Sequence, residues 1–191
     1  MIPLWNMAGV LPPIRPGHAG TSKDRSPYKV SIASVIETFA TSPQRISILE
    51  GFLNFRQELY TVGMSHGFQW LDGSFTQNVE THESRSPNDI DVVTFFLLSS
   101  NDTQQNVVNR NPSLFDEEQV KKTYSVDSYF MALGAPVGKS SVQTISYWYS
   151  MWSHCRDGLW KGFLQVDLNA DDDVIAQQML NQRILEAKHR D

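Results

Sequence analysis

Four short apolar runs, each bounded by turn-forming residues, constrain the fold of this chain more than any other feature. They occupy residues 68–71, 90–98, 126–133 and 163–168. Runs of this length and composition predict β-strands. Between the second and third runs, residues 116–122 place acids first and lysines last, which suits the dipole of a helix. The sequence therefore predicts strand, helix, strand, with a crossover that returns the chain beside the second strand.

Helix signals surround these strands. Ser31 is placed to cap a short helix that reaches residue 40, and Ser42-Pro43 is a strong start for a longer one that ends near Gly63. The longer segment has an apolar face of period 3.6, with Arg56 within it and Arg45 outside it. Two further helices are predicted over 140–153 and 174–188, the last capped by the acidic run at 171–173. The predicted fold class is α+β, a mixed or antiparallel sheet of about four to five strands with helices packed on it.

The first thirty residues differ in composition from the rest. They contain five prolines and three glycines, which disfavour regular elements. We therefore predict an extended arm over 1–30 and one domain over 31–191. A length of 191 residues with 40% hydrophobic residues suits one such core.

Charge and cysteine content narrow the classes of function. A net charge of −5 argues against a protein that coats nucleic acid through a broad basic surface, although a local phosphate site remains compatible with it. Cys155 is the only cysteine, so no intramolecular disulfide can form. The sequence shows neither a basic leader with an apolar stretch nor an apolar run of about 18 residues. We expect a cytoplasmic protein without a membrane partner.

Two of the predicted strands carry polar residues suited to phosphate chemistry. The first breaks at Gly73-Ser74, and the second opens with Asp89 and Asp91. Because strand side chains alternate, the two aspartates project from one face, roughly 7 Å apart by Cα, and both can reach one divalent cation. Glycine permits close approach of the backbone to a phosphate, and the Ser74 hydroxyl can donate to its oxygens.

These motifs resemble a known family. Nucleotidyltransferases related to DNA polymerase β share the signature apolar-Gly-(Gly/Ser), a short helical segment, then Asp-apolar-(Asp/Glu)-apolar. Leu71-Asp72-Gly73-Ser74 and Asp89-Ile90-Asp91-Val92 match it. The segment between the two motifs is longer than in that family and contains Pro87, so we expect a short or irregular helix there. With Gly-Val-Leu-Pro-Pro near the start and a Trp/Tyr-rich stretch before Lys161-Gly162, the chain looks like a small bacterial group within the superfamily.

The resemblance implies a third carboxylate from a later strand. Asp127 is our choice, because the predicted crossover returns its strand beside that of Asp89; Asp167 is the rival. Together with Asp89 and Asp91 it would hold two Mg²⁺ (or Mn²⁺) ions, roughly 3.5–4 Å apart in such sites. The implied reaction moves a nucleoside monophosphate from an NTP such as ATP.

A polar-basic cluster and an aromatic helix are the remaining candidates. One of His154, Arg156 and Lys161 could hold the triphosphate, and we select Arg156 and Lys161 with Gly73 and Ser74 as nucleotide-binding residues; a solvated loop is the simpler interpretation of the cluster. The aromatic side chains of 147–152 predict core packing, with stacking on a base as the second interpretation. Haloacid-dehalogenase phosphatases and glycosyltransferases place an acid pair after an apolar strand, whereas here the acids come first, which disfavours both.

The sequence thus favours a Mg²⁺-dependent nucleotidyltransferase whose acceptor is a hydroxyl on RNA, protein or a small molecule. The resemblance further implies a toxin–antitoxin or antiphage (antiviral defence) module, with a cognate partner or antitoxin protein. The alternative from another class is a catalytically silent protein that binds a nucleotide or a partner in the same groove.

Overall fold

Five strands form one mixed sheet in the computed structural model, which describes residues 1–188. They are β1 (Tyr28–Lys29), β2 (Gly67–Asp72), β3 (Ile90–Phe96), β4 (Val126–Ala132) and β5 (Leu164–Asp167). Their order across the sheet is β1-β5-β2-β3-β4. β2 is antiparallel to both of its neighbours, whereas β1 is parallel to β5 and β3 is parallel to β4. The predicted α+β class and mixed sheet are confirmed, and all four predicted strands are present.

Seven α-helices occur among the same residues. They are α1 (Ile32–Phe39), α2 (Pro43–Thr61), α3 (Val79–His82), α4 (Gln104–Arg110), α5 (Glu117–Tyr124), α6 (Lys139–Trp152) and α7 (Ala170–Lys188). Ser31 and Ser42 cap α1 and α2 as predicted, each accepting a hydrogen bond from a backbone N–H three residues later. α5 connects β3 to β4 in the predicted crossover, and α4 was not predicted. The expected short helix after Gly73-Ser74 is present as a 3-10 turn at Ser74–Thr76 and the four-residue α3.

Two charged side chains on α2 are fully buried. Arg56 lies on the predicted apolar face and is paired with Asp173, at 2.6 Å between Nη2 and Oδ1. Arg45 was predicted outside that face, and this is wrong because it is completely buried. The predicted cap at 171–173 is also wrong, since α7 begins at Ala170 and places these acids inside its first turn.

Helices cover the two faces of the sheet unequally. The larger apolar cluster joins residues of α1, α2 and α7 to Leu71, Val92 and Val126 of the sheet. The smaller cluster joins Trp70 and Val93 on the opposite face to Trp152 of α6. Because strand side chains alternate, the residues next to Trp70 and Val93 in the same phase also point toward the α6 face.

The N-terminal residues lie against this sheet. Val10 and Leu11 are buried, and Leu11 accepts a hydrogen bond from the backbone N–H of Gly162. The expectation of no regular element before residue 30 is wrong at β1, which pairs with β5 at the sheet edge. Residues 189–191 of the predicted domain lie outside the described residues. Within 1–188, no helix is both long and apolar enough to cross a bilayer.

Candidate functional site

Three aspartates lie side by side across the three strands β2, β3 and β4. Asp91 is the register partner of Asp72 on one side and of Asp127 on the other. All three share the strand phase that faces α6, and adjacent strands in a sheet are roughly 4.7–4.9 Å apart. Their carboxyl groups therefore crowd at one end of the sheet. We call Asp72, Asp91 and Asp127 the aspartate row.

The crowding changes the acidity of the central member. Burial raises the pKa of Asp91 to about 7, and the carboxylates of Asp72, Asp127 and Asp89 add to this effect. No hydrogen bond or ion pair joins the Asp91 side chain to another residue within 1–188. Asp91 is therefore the member of the row whose charge most requires an added cation.

Asp72 is neutralised from within the chain. Lys161 contacts both of its carboxylate oxygens, and the hydroxyl of Thr76 donates to Oδ1 at 3.2 Å. Burial raises the pKa of Asp72, and the ammonium group of Lys161 acts in the opposite direction. We had expected Lys161 to bind a nucleotide phosphate, but its ammonium group is engaged by Asp72 and is almost fully buried.

A second lysine joins Asp89 to Asp127. The Nζ atom of Lys121 lies 2.8 Å from Oδ2 of Asp89 and 3.0 Å from Oδ2 of Asp127. Hydrogen bonding to Asp89, and then to Asp127, raises the pKa of Lys121. The other oxygen of Asp127, Oδ1, is buried without a hydrogen-bond partner among the described residues. A buried carboxylate oxygen without a donor is costly, so Oδ1 marks a position suited to a cation or donor group.

Gly73-Ser74 adjoins the row, where β2 ends. Gly73 has φ +82°, and a Cβ atom at this position would overlap the carboxylate of Asp91, so only glycine fits here. Ser74 begins the 3-10 turn and is half-buried. The backbone at residue 73 can therefore lie against the Asp91 carboxylate because this residue is glycine.

Buried Arg45 fixes the backbone after Ser74. Its guanidinium group donates to the carbonyl oxygens of Phe75 and Gln77, each at 2.6 Å, and to both oxygens of Glu80. The hydrogen bonds from Arg45 lower the pKa of Glu80. Because one rigid fork holds both carbonyl groups and α3, the turn that carries Ser74 is held against α2.

One cavity of about 830 Å³ collects these groups. Its lining includes every residue that we proposed from the sequence for the site, namely Gly73, Ser74, Asp89, Asp91, Asp127, Arg156 and Lys161. Of the two candidates for the third carboxylate, Asp127 lies beside Asp91 and Asp167 does not. Asp167 pairs with Phe68 near the other end of β2 and forms an exposed ion pair with Lys29 at 2.8 Å. Trp152 and His154 form part of the wall on the α6 side.

The arrangement does not contain an assembled metal site of three ligands. Within residues 1–188, no group of three or more His, Cys, Asp or Glu side chains is positioned to hold a metal ion. Lys121 lies between two of the three predicted ligands, Asp89 and Asp127. The available donors are nonetheless all carboxylate oxygens, which suit Mg²⁺ or Mn²⁺.

Comparison of the chain with known protein families identifies one family to which it belongs. A model described as "Family of unknown function (DUF6932)" matches residues 3–167. The chain belongs to this family. No curated protein and no solved structure matches it.

The DUF6932 match covers the sheet and the site together. Residues 3–167 include β1 to β5 and every residue that lines the cavity, whereas α7 lies beyond the matched segment. The aspartate row, Gly73-Ser74 and both lysines are therefore all contributed by the segment that defines this chain as a family member.

Sequence reasoning gave no role to three residues that shape the site. Asp72 stood within the Gly-Ser motif without a function, Lys121 was interpreted only as a favourable charge at a helix end, and Arg45 was placed outside the apolar face of its helix. For Asp72 a signal did exist, because it has the same strand phase as Trp70 on a strand predicted beside β3. For the two cations no local signal distinguishes a bridging or buried side chain from a solvated one.

Proposed function

We propose that this cavity binds a nucleoside triphosphate and catalyses Mg²⁺-dependent transfer of the nucleoside monophosphate to a hydroxyl group of an RNA, a protein or a small molecule. The observation that carries the proposal is the position of Gly73-Ser74 directly beside Asp91 in the aspartate row. A turn that could bind phosphate, next to carboxylates that could hold a metal ion, is an arrangement suited to phosphoryl transfer.

We assign metal binding to the carboxylates of the cavity and phosphate binding to its turn and its arginine. Asp91 and Asp127, beside Asp89, would hold the metal, which when bound supplies Lewis-acid stabilisation of the phosphate charge and lowers the pKa of the acceptor hydroxyl. Ser74 donates to a phosphate oxygen, and Gly73, which has no Cβ atom, leaves room for the Asp91 carboxylate beside that turn. Arg156 lines the same cavity and is the cation that we assign to the outer phosphates.

The residues present fit a divalent cation in their chemistry. Oδ1 of Asp127 lacks a hydrogen-bond partner among residues 1–188, and burial together with the neighbouring carboxylates raises the pKa of Asp91, so both groups would be stabilised by an added positive charge. Asp72 and Lys161 belong to the wall of the site, since each neutralises the other.

The proposed reaction is a simple exchange of bonds. The acceptor hydroxyl loses its proton to water, its oxygen forms a bond to the α-phosphorus, and the bond from that phosphorus to the leaving pyrophosphate breaks. Atoms and charge balance without an oxidant or reductant.

A labelled-NTP assay tests this function. The purified chain is incubated with α-³²P-labelled NTPs, Mg²⁺ and, in separate reactions, cellular RNA, protein and metabolite fractions. We expect label in one fraction, release of pyrophosphate, and loss of both with EDTA or in Asp91→Asn. Asp167→Asn is the matched control, because Asp167 is an exposed aspartate of the same sheet outside the cavity. Label that persists in Asp91→Asn would contradict the assignment.

One observation favours a second function, a catalytically silent binding protein. Lys161 and Lys121 already neutralise part of the acidic cluster, so the cavity can be stable without a metal ion. Isothermal titration with NTPs, with and without Mg²⁺, separates the two functions. Metal-independent binding without transfer to any fraction would favour the silent protein.

A further inference from the structure

The ammonium group of Lys121 lies between two carboxylates, Asp89 and Asp127, where a metal ion could otherwise bind. Its ammonium group is the only cation of residues 1–188 in ion-pair contact with Asp89 or with Asp127. The side chain reaches the cluster from the last turn of α5 and remains 48% exposed, whereas the Asp127 side chain is 15% exposed. The Lys121 side chain is thus more exposed than the carboxylate that it contacts.

The two oxygens of Asp127 are used differently. Oδ2 accepts from Lys121, while Oδ1 is buried and has no hydrogen bond of good geometry within the described chain. The Tyr129 hydroxyl lies nearby, since burial and then the charge of Asp127 raise the pKa of Tyr129. The Lys121 ammonium group contacts Oδ2 of Asp127, so Oδ1 remains available to a second donor or cation. Oδ1 and the neighbouring Asp91 together therefore form a second position for positive charge, distinct from the one that Lys121 fills.

A count of charges indicates how many divalent cations the second position can take. The cluster contains four carboxylates, Asp72, Asp89, Asp91 and Asp127, and two ammonium groups, Lys121 and Lys161. When all are ionised, two negative charges remain. One divalent cation removes them, whereas two such ions would leave these six groups with a net positive charge.

We propose that Lys121 is an internal cation that fills one of the two cation positions of the site, so that the nucleotide-free protein takes one divalent metal ion, held by Asp91 and Oδ1 of Asp127. This inference rests on the proposed function, because it concerns the metal ions of the same site. It replaces the expected pair of metal ions with one metal ion and one lysine.

The simpler role of Lys121, a cation that stabilises the C-terminus of α5, does not account for these contacts. Lys122 is next to it in the same turn and supplies the same favourable charge to the helix dipole. Lys122 is therefore a matched control, since its substitution changes the net charge of the protein and the helix end equally without touching Asp89 or Asp127.

The experiment counts bound Mn²⁺ ions. Isothermal titration and Mn²⁺ electron paramagnetic resonance are applied to the metal-free full chain and to Lys121→Met, Lys121→Arg and Lys122→Met, all without nucleotide. We expect one ion per chain in the wild type, in Lys121→Arg and in Lys122→Met, and two in Lys121→Met. Circular dichroism establishes that each variant is folded; if Lys121→Met is not, Lys121→Gln replaces it with the same expectation.

The possible outcomes separate this inference from the proposed function. Two ions in the wild type, or one ion in both the wild type and Lys121→Met, would overturn the role of Lys121 and leave nucleotidyl transfer intact. If the Mn²⁺ counts are as expected but no nucleotidyl transfer is detected, the role of Lys121 is supported and the proposed enzymatic activity is contradicted. If the wild type binds no Mn²⁺, both proposals are overturned.

Discussion

Lys161 contacts both carboxylate oxygens of Asp72, and each of the two side chains is only 4% exposed. The pair joins the loop after α6 to the end of β2, and so connects the two sides of the cavity. Removing one member would leave the other charged and unpaired in the protein interior, where an isolated charge is far more costly than a matched pair.

We expect Lys161→Met to lower the free energy of unfolding by about 3–5 kcal/mol, the usual cost of breaking a buried ion pair from one side. Lys29→Met is the control, because it removes an exposed pair with Asp167 and should change stability by less than about 1 kcal/mol. Urea unfolding followed by circular dichroism measures both. Equal effects in the two variants would mean that the Asp72 pair contributes no more than a surface contact.

Gly73→Ala should disable metal binding. Gly73 and Gly17 have nearly the same φ, +82° and +83°, but a Cβ atom at 73 overlaps Asp91 whereas nothing lies within 4 Å at 17. Both substitutions place a Cβ atom on a backbone of positive φ, a strain of roughly 1–3 kcal/mol. Only Gly73→Ala forces the Asp91 carboxylate to rotate away. Thermal unfolding with and without Mn²⁺ should therefore show a metal-dependent rise for Gly17→Ala and none for Gly73→Ala; a rise in both would contradict the role of Gly73.

Arg45→Met should loosen the turn that carries Ser74. The change leaves the carbonyl groups of Phe75 and Gln77 without their donors, which we expect to cost at least about 2 kcal/mol. Arg183→Met is the matched control, since within residues 1–188 Arg183 pairs only with half-exposed Glu186 at 3.4 Å, and should stay within about 0.5 kcal/mol of the wild type. Hydrogen exchange at residues 74–78 provides a second measurement. Unchanged exchange there would argue that Arg45 does not hold the turn.

Asp91 should make the metal-free protein less stable as pH rises. Its pKa is about 7 in the folded chain and 3.8 ordinarily, so between these values the folded state retains a proton that the unfolded state has released. Stability therefore falls as pH increases through this window, and the full penalty is present above about pH 7. In EDTA, Asp91→Asn should match the wild type near pH 4 and exceed it near pH 8. We would measure urea unfolding across this range; a pH-independent difference would contradict the shift.

The local elements of this fold could be predicted from the sequence because their signals are themselves local. Ser42-Pro43 starts α2 through a side chain that bonds a backbone N–H three residues away, and β3 is recognisable from its own apolar run. The crossover through α5 followed from element order. It brought Asp127 beside Asp91 for the same reason, since strand, helix, strand connections return the chain parallel and adjacent.

Burial and charge pairing, in contrast, were decided only by the tertiary structure. Arg56 and its partner Asp173 are 117 residues apart, and Lys161 is 89 residues from Asp72, so no pattern within a helix or strand indicates either pair. β1 is two residues long and exists only because β5 offers a parallel edge. The sequence alone determined which residues could form the site. Whether each charge there faces a ligand or another side chain depends on contacts between distant segments, which exist only once the sheet and its helices have assembled.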